Sequence, residues 1–180
     1  EVDKFFGNDK QLKMYLLGAG AIEYPIRQGS IFGHAATSRA IAVGSVQASD
    51  PGHDTIAFYS SGGPSEIRLP SPQTRRKPDL VAIDGVSVSG AGGFPATFYG
   101  TSAAAPHVAG VAALLMSAHP KATSNAIRVA LTRSAEDLGT RGFDFTYGYG
   151  LINASAANDR LPLVNLAPAI MLLLGDDPEP

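Results

Sequence analysis

This 180-residue chain lacks several features that particular classes of protein require, and each absence excludes one of those classes. There is no cysteine, which excludes a disulfide framework, a thiol nucleophile and a thiolate metal site. The net charge of −2 shows no bias toward nucleic acid. The longest apolar stretch, residues 161–174, is interrupted by two prolines and an asparagine, and it is shorter than the ~20 residues of a membrane span. We therefore expect neither a nucleic-acid partner nor a membrane span.

The residues that are present suit one globular domain. Apolar residues make up 44% of the chain and charged residues 17%, a balance typical of a folded protein with a real core. Short, almost entirely apolar runs at residues 40–46 and 80–83 predict strands covered on both faces, and residues 13–17 and 55–61 predict further strands. Because strands alternate with helices, we predict an α/β fold with three layers, in which a mostly parallel sheet has helices on both faces.

Helices are predicted in the later part of the chain. Residues 103–117 are apolar almost all round, so most faces of that helix should be buried. Thr123 or Ser124 can cap the next helix. Its spacing predicts a buried stripe of Ile127, Ala130, Leu131 and Ser134. A short helix is predicted over residues 153–159.

The segment GTSAAAPHVAG, residues 100–110, is where we expect chemistry. It places Ser102 at the start of an apolar helix, among small residues that would let a substrate backbone approach closely. Such a serine could be only an N-cap, its oxygen accepting a backbone N–H. A helix N-terminus also supplies free N–H groups and positive potential, which suit an anionic tetrahedral intermediate. The residue pattern by itself leaves both roles open.

This segment resembles the serine signature of the subtilisin-like peptidases (subtilases), Gly-Thr-Ser-x-Ala-x-Pro-His-Val-Ala-Gly. FYSSGGP at residues 58–64 is similar to the family's Phe-Ser-Ser-x-Gly-Pro turn, with one glycine inserted. KPDLVAIDG at residues 77–85 resembles its Lys-Pro-Asp strand, with isoleucine and aspartate in place of the usual proline. GYGLINA at residues 148–154 is similar to its closing segment. The resemblance, over residues 30–158, implies the C-terminal half of a subtilase domain.

For function, the resemblance implies a serine endopeptidase in which Ser102 forms an acyl-enzyme with a peptide or protein substrate. The backbone N–H of Ser102 would be one oxyanion donor, and Gly100 and Thr101 would shape the approach to the scissile carbonyl. The stretch that matches the wall of the family's primary specificity pocket consists of Phe32, Gly33, His34 and Ala35. Calcium sites are common in the family, but no carboxylate cluster here has the spacing of a calcium loop, so we predict no cofactor and no metal ligand.

The rest of a catalytic triad is not evident in the sequence. Subtilases supply an aspartate and a histidine upstream, in Asp-x-Gly and His-Gly-Thr motifs, and neither motif occurs here. His107 lies about 140° around the helix from Ser102, and in the family this histidine is structural. His119 is predicted to cap the helix C-terminus, and His53 to be exposed in a loop. We therefore expect the base and its orienting carboxylate in an N-terminal half of the domain, outside this chain, and we expect the isolated chain to be inactive.

The family's oxyanion asparagine is also not evident, since Ala21 stands in its place after a faintly similar Gly-Ala-Gly. An amide missing there would forfeit about 3 kcal/mol of transition-state stabilisation. We therefore predict that residues 1–24 are an insertion or a truncated upstream segment. Residues 25–160 would be the subtilase half, and residues 161–180 a tail or the start of a following region. Asp79 and Asp84 are predicted to be turn residues.

Two other functions fit the residues less well. A non-catalytic pseudo-peptidase domain that binds peptides or a partner would explain Ala21 and the missing triad partners, but such a binder does not need the Ser102 hydroxyl. A lipase or esterase would need a Gly-x-Ser-x-Gly elbow, which is absent. The resemblance further implies a secreted or extracytoplasmic protein, although no signal peptide begins this chain. Half a domain leaves apolar surface and a strand edge uncovered, so self-association is expected.

Overall fold

The computed structural model describes residues 26–161, which form six strands, three α-helices and two short 3-10 helices. The strands are β1 (Val43–Gln47), β2 (Ser65–Ile67), β3 (Gln73–Arg75), β4 (Leu80–Asp84), β5 (Val86–Ser87) and β6 (Thr97–Phe98). The helices are α1 (Thr101–Ala118), α2 (Ser124–Ser134) and α3 (Ala154–Asp159). The 3-10 helices are Gly33–Ala36 and Ala91–Gly93.

A parallel pair of strands lies at the centre of the fold. β1 and β4 run side by side, with Val43 opposite Leu80 and Gln47 opposite Asp84. The first three residues of β4 are completely buried, as the apolar pattern predicts. α1 packs against both strands, and α2 and α3 pack against each other and against α1. Two short antiparallel pairs, β2–β3 and β5–β6, accompany the parallel pair. Parallel strands covered by helices make this an α/β fold, as predicted.

The second helix forms as its sequence predicts. The Oγ1 of Thr123 accepts a hydrogen bond from the N–H of Ala126 at 3.2 Å, which caps α2. Its buried residues are Ile127, Ala130, Leu131 and Ser134, the stripe expected from the helical period. Ile127, Ala130 and Leu131 pack in the core with residues of β4, α1 and α3, so α2 belongs to the same core as the strand pair.

The strand predicted over residues 55–61 is not present. Ile56 makes one isolated antiparallel bridge to Val46, and the segment then turns, because the N–H of Ser60 donates to the carbonyl of Ala57 at 2.9 Å. That local turn bond takes the place of a strand ladder. The predicted strand over residues 13–17 lies outside the described residues.

The first helix is far less covered than its composition predicts. Only Ala103, Ala104, Val108 and Leu115 are buried in α1. Leu114 is 70% exposed and Met116 54% exposed. The expectation that most faces are buried is therefore wrong for the described residues, because β1, β4 and the other helices cover one side only. The helix is also long and apolar enough to span a membrane, but its buried side packs on the strand pair as a core helix does.

Candidate active site

Ser102 is the second residue of α1, and its side chain is exposed to solvent. The helix begins after Gly100, whose φ of 108° and ψ of 162° lie in a region that only glycine adopts readily. The carbonyl of Gly100 accepts the N–H of Ala103 at 2.8 Å and that of Ala104 at 3.3 Å. The amides of Thr101 and Ser102 have no carbonyl in a preceding helical turn. This start of the helix therefore offers the kind of amide that an oxyanion donor requires.

A cavity of about 220 Å³ opens beside this helix start. It is lined by Ser30, Ile31, Phe32, Ala35, Ala42, Val43, Ser61, Pro78 and Thr101. Three residues predicted to bind substrate therefore meet at one cavity: Phe32, Ala35 and Thr101. Gly33 and His34 belong to the same 3-10 helix and are exposed, but they do not line the cavity.

Hydrogen bonds from β2 and β3 support the wall of this cavity that Phe32 and Ala35 form. The Oγ of Ser65, at the start of β2, donates to the carbonyl of Ile31 at 2.9 Å. The Nη1 of Arg75, at the end of β3, donates to the carbonyl of Ala36 at 2.7 Å. The two bonds attach both ends of the segment that carries Phe32 and Ala35 to one antiparallel pair. Strands of three residues are too short for a period-two pattern, so this support could not be predicted from the sequence.

Filling the cavity is expected to change substrate preference. In the full-length protein, Ala35→Leu should lower kcat/KM for bulky residues at the cleaved position about 10- to 100-fold relative to small ones, because it adds apolar volume at the rim. Matched peptide series that differ only at that residue would measure it. His34→Leu changes the neighbouring residue, which does not line the cavity, with little change in side-chain volume, and it serves as the control. An equal shift in both variants, or none in Ala35→Leu, would contradict the pocket assignment. Gly33 is a poorer site for this test, since its φ of 62° makes any side chain there strained.

Two of the described histidines, His107 and His119, have structural partners. The Nδ1 of His107 lies 2.9 Å from the carbonyl of Ile83, so this ring ties α1 to β4. His119 is the C-cap of α1, as predicted, and its Nε2 lies 2.9 Å from the Oδ1 of Asn158. Within residues 26–161, no hydrogen bond of a histidine ring reaches Ser102. In the described part of the chain, Ser102 is therefore not hydrogen-bonded to a histidine.

Asp79 and Asp84 are not simple turn residues, which corrects the prediction. Asp79 is 3% exposed, and its Oδ2 lies 2.5 Å from the Nζ of Lys77. Its Oδ1 lies 2.7 Å from the Nη2 of Arg128, on α2. Asp84, the last residue of β4, is completely buried and accepts hydrogen bonds from Tyr59 and Gly100. Sequence reasoning missed both roles because Arg128 is 49 positions from Asp79, and Tyr59 and Gly100 are 25 and 16 positions from Asp84.

No metal ligand set is evident in the described part of the chain. Among residues 26–161, no group of three or more histidines, aspartates or glutamates could hold a metal ion. Ala21, which stands in place of the family's oxyanion asparagine, lies outside the described residues, as do residues 1–24 and 162–180.

Comparison with known proteins identifies the class. The model of the subtilase family of peptidases matches residues 7–150, which is most of the chain. The chain therefore belongs to the subtilase family, whose members are serine peptidases. The match begins inside the segment predicted to be an insertion or a truncated upstream piece, and that prediction remains open.

The relatives include subtilisins of two Bacillus species. The chain is similar to subtilisin E of Bacillus subtilis, with 40% identity over 119 residues, 65% of this chain and 26% of that protein. It is 35% identical to subtilisin DY of Bacillus licheniformis over 76% of this chain and 40% of that protein. The chain thus spans about a quarter to two fifths of these relatives. The solved structure of the prenylagaramide maturation protease PagA aligns with a TM-score of 0.58 and 22% identity, over 76% of this chain and 47% of that one, which supports the fold alone.

Proposed function

We propose that the protein to which this chain belongs is a serine endopeptidase that cleaves peptide bonds through an acyl-enzyme on Ser102. The observation that carries the proposal is an exposed serine at the first turn of a helix, in a chain of the subtilase family. Its hydroxyl is accessible to a carbonyl carbon, and its own amide is available for the oxyanion that forms.

The other catalytic parts are assigned to a region outside this chain. A histidine would take the proton of the Ser102 hydroxyl and return it to the leaving amine, and an aspartate would orient that histidine. The cavity beside Thr101 would take the substrate side chain at the cleaved bond. The same N-terminal half would cover the exposed side of α1, where Leu114 and Met116 lie. Export from the cell is part of the proposal, by analogy with the family.

A fluorophosphonate probe tests this proposal, because it reacts with serines that a base activates. The full-length protein should be labelled, full-length Ser102→Ala should not, and the isolated 180-residue chain should be labelled at least a hundredfold more slowly. The isolated chain is compared after size-exclusion chromatography, so that self-association is recorded in the same sample.

The alternative is a pseudo-peptidase that binds peptides without cleaving them. The rings of His107 and His119 contact Ile83 and Asn158 rather than Ser102, which is the observation in its favour. A folded full-length protein that binds peptides but resists the probe would establish this alternative. Fast labelling of the isolated chain at Ser102 would instead show that residues 1–180 contain a base.

A further inference from the structure

Asp84 joins the end of the central strand to the start of the Ser102 helix. Its Oδ2 accepts the N–H of Gly100 at 2.7 Å and the hydroxyl of Tyr59. The residue is 0% exposed, and its Oδ1 has no hydrogen-bond partner among residues 26–161. Where Ile83 and Asp84 stand in place of the usual subtilase proline, the Asp84 carboxylate therefore contacts the residue two positions before Ser102.

Stability alone does not account for this carboxylate. Burying a carboxylate costs free energy unless hydrogen bonds or charges compensate all of it, and here one oxygen is left uncompensated. An apolar side chain at the end of β4 would avoid that cost. A buried acceptor at this position therefore points to a role in binding donors rather than in apolar packing.

The hydrogen bonds around Gly100 indicate what the Asp84 carboxylate does. This residue is the N-cap of α1 but has no side chain, so it cannot cap the helix itself. Its carbonyl is fixed by the amides of Ala103 and Ala104, and its N–H is fixed by Asp84. Because both its carbonyl and its N–H are hydrogen-bonded, Gly100 restrains the backbone that leads into Thr101 and Ser102.

Tyr59 keeps the carboxylate in place. Its hydroxyl donates to Asp84 and accepts from the Nε2 of Gln47 at 3.3 Å. Burial, and then the hydrogen bond with Asp84, raise the pKa of Tyr59 above its ordinary value of 10.0. The same interactions favour the protonated form of Tyr59, which is the form that donates to Asp84. A negative charge close to the N-terminus of α1 is also favoured by the helix dipole.

We propose that Asp84 is a positioning residue for catalysis, which holds the Gly100 amide so that the hydroxyl and amide of Ser102 meet the scissile carbonyl in the reactive geometry. The proposal rests on the assignment of Ser102 as nucleophile. Because it concerns orientation, it predicts loss in the chemical step rather than in substrate binding.

The test compares Asp84→Ala with Asp84→Asn in the full-length protein. Saturation kinetics of fluorophosphonate labelling give an inactivation rate and a binding constant, both normalised to folded protein. A backbone displaced by ~1 Å costs about a hundredfold, so the inactivation rate of Asp84→Ala should fall about 10- to 100-fold with little change in the binding constant. Asp84→Asn keeps an acceptor oxygen and should stay within about threefold of wild type.

Controls separate positioning from stability. Asp79→Asn alters an equally buried carboxylate just before the same strand, and it should lower stability without slowing the labelling of folded molecules.

If Asp84→Ala does not fold, Asp84→Glu carries the test: it keeps the charge but displaces the acceptor by one methylene, and should label at least tenfold more slowly. Wild-type inactivation rates in folded Asp84→Ala or Asp84→Glu would overturn the proposal, as would equal losses in Asp84→Asn and Asp84→Ala. Labelling that persists in Ser102→Ala would refute the nucleophile instead.

Discussion

Full-length protein that carries Ser102→Ala is expected to cleave peptides about a million times more slowly than wild type. The substitution removes the only group that is assigned to attack the carbonyl. Substrate contacts of the cavity and the helix start remain, so KM should change little and the loss should appear in kcat. Steady-state hydrolysis of a chromogenic peptide, with the enzyme concentration set by folded protein, measures both constants.

A matched control lies on the same helix. Ser117 is also exposed on α1, about four turns from Ser102, and Ser117→Ala should keep wild-type kcat. Retention of more than about a tenth of wild-type kcat in Ser102→Ala would refute the nucleophile assignment, provided that mass spectrometry excludes contaminating wild-type enzyme.

Breaking the buried ion pair is expected to have the largest effect on stability. Asp79→Ala should lower the free energy of unfolding by about 3–5 kcal/mol, because it leaves the buried ammonium of Lys77 without its carboxylate. It also removes the acceptor for the N–H of Ala42, at the entrance to β1. Urea unfolding of the full-length protein measures the loss: the midpoint urea concentration should fall while the dependence of the unfolding free energy on urea stays the same.

The loss of stability in Asp79→Ala is compared with that in variants of its two ion-pair partners, Arg128 and Lys77. Arg128→Ala should cost much less, since its side chain is 36% exposed and screened by water. Replacing Lys77 and Asp79 together by apolar residues should recover much of the loss, because no buried charge then lacks a partner. If the double variant is destabilised as much as Asp79→Ala, the stabilisation comes from the hydrogen bonds of Lys77 with Ala40 and of Asp79 with Ala42 rather than from the charge pair.

Local patterns made part of the fold and site predictable. The buried stripe of α2 follows from a 3.6-residue period, and the burial of β4 follows from a continuous apolar run. Ser102 could be selected because its whole signature is contiguous in the chain. Each of these features depends on neighbours within one element, which a linear sequence displays.

The features that could not be predicted depend on contacts between distant segments. Asp84 meets Gly100 across 16 positions, and Asp79 meets Arg128 across 49. A carboxylate next to a strand is typical of a turn, and only the folded structure, in which α1 packs on β4 and Arg128 of α2 contacts Asp79, shows that both are buried. The apolar circumference of α1 indicates that the helix needs cover, but composition does not say which elements provide it.

The uncovered side of α1 has a consequence for how such an enzyme could be divided. Suppose that the N-terminal half of the domain both covers Leu114 and Met116 and brings the base to Ser102. Association of the two halves would then bury this helix and complete the active site in the same step. Two separately produced halves would then behave as a split enzyme, whose activity rises with the product of their concentrations and saturates when the halves are fully associated. A molecule that occupies the exposed side of α1 would inhibit peptide cleavage without entering the substrate cavity.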